Sequence, residues 1–166
     1  LGKRTAKALD FVKKHDFPVV LKPNLGGRGA GVWIVKDRVQ LRSDLELIDY
    51  DAIIQAYVSG EEYGIFWIRH PKNKNGQVVS ITEKRLPKVT GDGKRTLEEL
   101  VLTHPRSVCI AKKHLTYLSD RLDYIPTSGE NVLIGEIGTH SLGALFLDGS
   151  QIHTPELTSK FSSIAG

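Results

Sequence analysis

An α+β architecture follows from three features of the sequence. Segments with helical spacing of apolar residues are mixed with short β-branched runs along one chain. The segment "KNKNGQ", with its Asn75–Gly76 dipeptide, reads as a hairpin loop that folds "VVSITEKRL" back antiparallel onto "EEYGIFWIRH". "NVLIGEIG" and "GALFLD" read as the strands of a later hairpin, and such antiparallel signals argue against a doubly wound parallel sheet.

The elements then follow in order. "TAKALDFVKK" places Ala6, Leu9, Phe11 and Val12 on one helical face with lysines opposite, and Pro18 ends that region. "VVLK" and "GVWIVKD" are strand-like, "VQLRSDLELI" is a short amphipathic helix, and "DAIIQAYV" is a third strand. After the first hairpin, "TGDGKRTLEELV" turns into a helix. Thr96 and Glu99 there match the capping-box pattern ahead of Leu100, Val101 and Leu102. "CIAKKHLTYLSDRL" is a further helix, and "TPELTSKFSSIA" opens with Thr154 as N-cap and Pro155 as first helical residue.

Composition narrows the function classes. With 40% hydrophobic and 25% charged residues, the 166-residue chain matches a soluble globular protein of one domain or two small lobes. No apolar run reaches the ~18 residues of a membrane span, and no signal-peptide pattern opens the chain. Cys109 is the single cysteine, which excludes an internal disulfide or a cysteine zinc cluster and points to a reducing, cytoplasmic setting. A net charge of +4 suits an anionic partner: nucleic acid, nucleotide or acidic metabolite. The chain starts at Leu1 and contains no methionine, so it is expected to be part of a longer polypeptide.

The most informative stretch is "VVLKPNLGGRGAGVWIV". No Lys-Ser or Lys-Thr follows its glycines and a strand replaces the helix, so it is not a P-loop. The dinucleotide fingerprint fails as well, because Val32 stands where its last glycine belongs. The order strand, lysine, loop, strand describes a hairpin able to lie over a polyphosphate. Gly26, Gly27, Arg28, Gly29, Ala30 and Gly31 would offer backbone donors, and Lys22 a cation at the foot. A mobile loop beside a solvated lysine accounts for the same residues, with Arg28 as its solvated tip.

Lysine and glycine loop, followed by "DAIIQAYVSGEEYGIF", resemble the ATP-grasp superfamily, in its ligase branch that includes D-alanine–D-alanine ligase. The resemblance implies two α+β lobes with a nucleotide cleft between them. Residues 1–53 would form the small lobe, 54–60 an adenine-binding hinge, and 61–166 part of the large lobe. It further implies that Gln55, Ala56, Tyr57 and Val58 meet adenine and that Glu62 takes the ribose hydroxyls. Lys22, in "LKP", and the Gly26–Gly31 loop then hold phosphate. Gln55 departs from the glutamate common at this position. An ordinary buried strand ending in a solvated acidic edge is the competing account of "IIQAYVSGEE".

"EKRLPKVTGDGKRTLEELV" resembles a segment of cyanophycin synthetases and fused glutathione-synthesising enzymes of the same superfamily. Carried over, Arg85 becomes the catalytic cation on the transferred phosphoryl group, while alternation turns Lys84 the other way. Asp92 is accounted for by a tight turn. "IGTHSLGALFLDG" resembles the family's substrate loop and places His140 and Ser141 near the acceptor site; His15, His70, His104, His114 and His153 receive no role.

The resemblance thus implies an ATP-dependent carboxylate–amine ligase that uses ATP with Mg²⁺ and a small carboxylate or amino-acid-like substrate. The family's metal ligands are expected beyond Gly166, and neither Glu130 nor Glu136 is assigned to a metal. A non-catalytic nucleotide-binding module stays open beside it. So does a nucleic-acid-binding domain, which rests on basic charge and on Tyr63, Phe66 and Trp67 but shows no basic-aromatic interleaving.

Overall fold

The structure, a computed structural model, describes residues 2–165. Its contacts divide the chain into two compact units, Leu1–Gly60 and Glu61–Gly166. Both are α+β, and every strand pairing in them is antiparallel.

In the first unit, helix α1 (Gly2–His15) leads into strand β1 (Val19–Pro23). Strand β2 (Trp33–Val35), helix α2 (Arg38–Leu47) and strand β3 (Ala52–Ala56) complete it, with sheet order β2-β1-β3. Ala8 and Val12 of α1 and Leu41 and Leu45 of α2 bury against Val19, Leu21 and Val35 on one face of the sheet. The strand expected over "GVWIVKD" is shorter than its pattern. Asp37 leaves it to become the N-cap of α2, accepting hydrogen bonds from the amides of Val39 at 2.8 Å and Gln40 at 2.9 Å.

The second unit carries two small sheets. Strand β4 (Glu62–Ile68) pairs with β5 (Gln77–Arg85), and β5 with β8 (Leu145–Asp148); β6 (Lys88–Thr90) pairs with β7 (Asn131–Leu133). Helix α3 (Leu97–Thr103) and helix α4 (Ala111–Tyr117) bury Leu97, Leu100, Val101 and Leu118 against Val89, Val132 and Ile134. Helix α5 (Pro155–Ala165) closes the chain, and the Thr154 hydroxyl caps it by accepting from the Leu157 amide at 3.1 Å.

Three expectations change here. The first hairpin forms, but residues 69–76 make a loop too long for a two-residue Asn-Gly turn. Its turn lies earlier, where the Asn73 amide donates to the His70 carbonyl at 2.9 Å. Gly76 instead gives clearance, since a Cβ there would come within 2.0 Å of the Trp67 ring. "NVLIGEIG" and "GALFLD" do not pair with each other: β7 joins β6 while β8 joins β5. Burial of Val132 and Ile134 in the α3–α4 core holds β7 away from β8. Finally, the helix over "CIAKKHLTYLSDRL" begins as a 3-10 turn, Ser107–Ile110, and α4 ends at Tyr117.

The α3 start is fastened by the expected capping box. The Thr96 hydroxyl accepts from the Glu99 amide at 3.2 Å, and the Glu99 carboxylate from the Thr96 amide at 2.9 Å. In urea unfolding, Thr96→Ala is expected to cost about 1 kcal/mol. Leu97→Ala, which empties a fully buried site, is expected to cost about 2–5 kcal/mol. The reverse ranking would show that α3 does not anchor this core.

Candidate functional site

The first unit builds its polar surface on the free face of the three-stranded sheet. Val19 and Leu21 point into the core, so alternation turns Val20 and Lys22 outward. The register sets Val20 opposite Ile34 and Gln55, and Lys22 opposite Ile53, so these residues share that face. Lys22 Nζ donates to Gln55 Oε1 at 2.7 Å. Ile53 and Tyr57 remain 39% and 40% exposed, which leaves apolar surface beside the paired lysine and amide.

Strand β3 is the edge of its sheet. The Tyr57 amide donates inward to the Pro18 carbonyl at 3.3 Å. Backbone groups alternate sides along a strand, so the amide and carbonyl of Ala56 face the open edge. Between β1 and β2 the glycine-rich loop folds on itself, the Ala30 amide donating to the Gly27 carbonyl at 3.1 Å. Arg28, Gly29 and Gly31 take positive φ of 57°, 73° and 69°. Among the described residues, the amides of Gly27, Gly29 and Gly31 donate no hydrogen bond.

In the second unit, the sheet β4–β5–β8 separates residues that the sequence placed together. Glu62 lies opposite Lys84, and Lys84 opposite Phe146. The Lys84 ammonium forms an ion pair with Glu62 and lies 5.7 Å from the centre of the Phe146 ring. His140 stacks on the other end of this row, its ring centroid 3.9 Å from that of Phe146. The loop carrying His140 closes over Glu62, because a Cβ at Gly138 would come within 2.3 Å of Glu62 Oε2. Ser141, one residue on, turns toward Thr139, with 3.0 Å between their hydroxyl oxygens.

Arg85 lies on the opposite face. Its guanidinium binds Glu83, Nη2 to Oε2 at 3.1 Å, and Gln151 Nε2 donates to the same carboxylate at 3.4 Å. Hydrogen bonds from Arg85 are the main reason the Glu83 carboxyl is held below its usual range. Glu62 and Arg85, expected in one site, are therefore kept apart by alternation, and Lys84 is the cation on the Glu62 face. Sequence reasoning gave Lys84 and Phe146 no role, and the structure puts both on the Glu62 face. The signal for Lys84 was the alternation itself. The pairing with Glu62 was not readable, because it depends on the 69–76 loop and on a register shift between Phe66 and Trp67.

Asp92 has the structural part expected of it. It accepts from the amides of Lys94 and Arg95 at 2.9 and 2.8 Å and from Arg95 Nε at 2.7 Å. The backbone and guanidinium of Arg95 hold its carboxyl well below the usual carboxylate range. Glu136 accepts from the Tyr117 hydroxyl at 2.9 Å, and burial with this hydrogen bond pushes the phenol up to about 12. Among the described residues no group of three or more His, Cys, Asp or Glu is placed to hold a metal ion, and no helix is long and apolar enough to cross a membrane.

By class, the chain is similar to ligases of the ATP-grasp superfamily, as its motifs indicated. It is 45% identical over 56 residues to the D-alanine–D-alanine ligase of Bacillus anthracis, a match covering 32% of this chain and 18% of that protein. D-alanine–D-alanine ligase A of Bacillus cereus is 42% identical over 57 residues, 32% of this chain and 19% of the relative. The cyanophycin synthetase of Geminocystis herdmanii is 29% identical over 91 residues, 51% of this chain and 10% of the relative. The chain thus spans less than a fifth of the length of these relatives. A bifunctional glutathione synthetase from Pasteurella multocida overlays 97% of this chain and 24% of its own, at 19% identity and a TM-score of 0.45. No family model matches the chain.

One histidine that the motifs left without a role is deeply placed. His114 is 2% exposed and its Nδ1 lies 2.7 Å from the Ile134 carbonyl oxygen. Burial holds its pKa below the ordinary 6.5, against the raising effect of that hydrogen bond. The fold favours the neutral ring, so below pH 6.5 the unfolded chain takes up a proton that the folded one refuses. The stability from this group is complete above pH 6.5 and falls as pH drops through the window beneath it. Urea midpoints should decline from neutral to mildly acidic pH, more steeply than in His114→Gln. An NMR titration placing His114 at or above its ordinary value would contradict this.

Proposed function

We propose that this chain is the ATP-binding core of an ATP-grasp ligase. In that reaction a carboxylate oxygen attacks the γ-phosphorus of ATP and ADP leaves. An amine or similar nucleophile then attacks the acyl carbon of the acyl-phosphate, and phosphate leaves. The observation that carries the proposal is the first unit's open face. There a lysine is held by an amide beside exposed apolar surface, a strand edge offers one backbone donor and one acceptor, and a glycine loop has unspent amides.

The roles divide by chemistry. Lys22 and the loop amides of residues 26–31 neutralise and hold phosphate, since hydrogen bonds to charged groups contribute about 1.5–3 kcal/mol each. Ala56 supplies the edge-facing donor and acceptor for adenine, with Gln55, Tyr57 and Val58 around it, and Glu62 takes the ribose hydroxyls. For the cation on the transferred phosphoryl group we propose Lys84 in place of Arg85. Its pair with Glu62 is partly solvated; pairs of this kind contribute about 0–1 kcal/mol, little enough for an incoming phosphate to displace. Arg85 lies on the opposite face of β5 from Glu62, paired with Glu83. His140, stacked on Phe146, borders the same face and is assigned to the acceptor with Ser141.

Such a site needs no nucleophilic side chain, because positioning and neutralisation of developing charge carry the reaction. Mg²⁺ accompanies the triphosphate in this chemistry, but the described residues offer no cluster to hold it. Calorimetric titration of ATP-Mg into the chain tests the reading. Lys22→Ala and Lys84→Ala are each expected to weaken binding about tenfold, Glu62→Ala to weaken it measurably, and Arg85→Ala to leave it within about twofold. Binding untouched by Lys22→Ala would remove the nucleotide site; loss in Arg85→Ala with none in Lys84→Ala would restore the original assignment.

A further inference from the structure

The second unit contains a cavity of about 790 Å³ walled by β6, α3 and the 3-10 turn Ser107–Ile110, within the ~300–1,000 Å³ typical of small-molecule sites. Arg85, Lys88, Arg95 and Arg106 line it, Arg85 being paired with Glu83, and none of its lining residues is an Asp or Glu. Arg95 is partly neutralised by Asp92 at 2.7 Å. Among the described residues, Lys88 and Arg106 form no ion pair or side-chain hydrogen bond.

Two histidines in the same wall have their tautomers set by the backbone. The Ser107 amide donates to His104 Nδ1 at 3.2 Å, so that nitrogen carries a lone pair and the proton of the neutral ring sits on Nε2. His114 is the reverse. Its Nδ1 faces the Ile134 carbonyl at 2.7 Å and must donate, which leaves Nε2 as an acceptor. That hydrogen bond is the only one the His114 ring makes among the described residues. The residue is 2% exposed and lines the cavity, so its ring is fixed in place at the cavity wall.

We propose that this cavity binds a small molecule carrying both an oxyanion and a separate O–H or N–H donor. Lys88, Arg106 and the His104 Nε2–H take the oxyanion, and His114 Nε2 accepts from the donor. Hydroxy acids, amino acids and phosphomonoesters share that chemistry, and the apolar wall of Pro87, Leu100 and Ile110 suits a short carbon body. Arg85 and His140 border the same cavity, but the four residues that take the ligand are Lys88 on β6, His104 and Arg106 between α3 and the turn, and His114 on α4, and the nucleotide reading assigns none of them a role.

Amide NMR of the whole chain, titrated with lactate, propionate and inorganic phosphate, tests it. Saturable shifts are expected around Lys88, His104–Ile110 and His114, with lactate binding several-fold tighter than propionate because only lactate offers a hydroxyl to His114. The doubly substituted Lys88→Ala/Arg106→Ala chain should lose about tenfold in affinity. Both positions are exposed, and an unchanged spectrum before titration checks the fold. Phosphate tighter than lactate would identify the phosphomonoester class, and lactate tighter than phosphate the hydroxy- or amino-acid class. Absence of saturable shifts with all three probes, or equal binding to the double variant, would overturn the site. Equal binding of lactate and propionate would overturn the part given to His114.

Discussion

A β-strand has two faces, and burying one of them dictates what the other presents. In β1, Val19 and Leu21 enter the core under α1 and α2, which leaves Lys22 on the open side with Gln55. Nothing about the lysine itself places it there; its neighbours' burial does. The same rule works in the β4–β5–β8 sheet. Glu62, Lys84 and Phe146 share one face, while Glu83 and Arg85 share the other. Which cation stands beside a candidate ribose carboxylate is therefore a matter of parity along one strand.

Both open-face cations are held, but lightly. Lys22 rests on a neutral amide, and Lys84 on a carboxylate that remains in contact with solvent. In the proposed function neither arrangement would resist a polyphosphate, because a neutral amide and a partly solvated carboxylate hold a cation weakly while a hydrogen bond from lysine to phosphate is charged at both ends. The glycine loop fits the same logic. Positive φ at Arg28, Gly29 and Gly31 turns the chain so that several amides stay unspent.

Much of this was legible in the sequence. Helix α1, β1, the α3 capping box, the Thr154 cap and the antiparallel character of the sheets all depend on neighbours a few residues apart. Lys22 and the glycine loop were legible for the same reason: their order along the chain is a local pattern. The relation between Glu62 and Lys84 was not. It is fixed by the length of the 69–76 loop and the register shift at Phe66/Trp67, neither of which has a compositional signature. The late hairpin was misread because β7 and β8 each look like half of one. Only the packing of Val132 and Ile134 against α3 and α4 sends β7 to a different partner.

The sequence by itself determined the kinds of elements, where several begin and end, and the lysine–loop motif with its family resemblance. Periodicity, capping and turn chemistry act over one or two turns of chain and are written in adjacent residues. Tertiary structure alone decided which strands meet, that Lys84 rather than Arg85 faces Glu62, and which nitrogen of His104 and of His114 carries the proton. Apart from the His104 ring, set by the Ser107 amide three residues on, those outcomes depend on atoms far apart in the chain, brought within hydrogen-bonding distance only when the cores close.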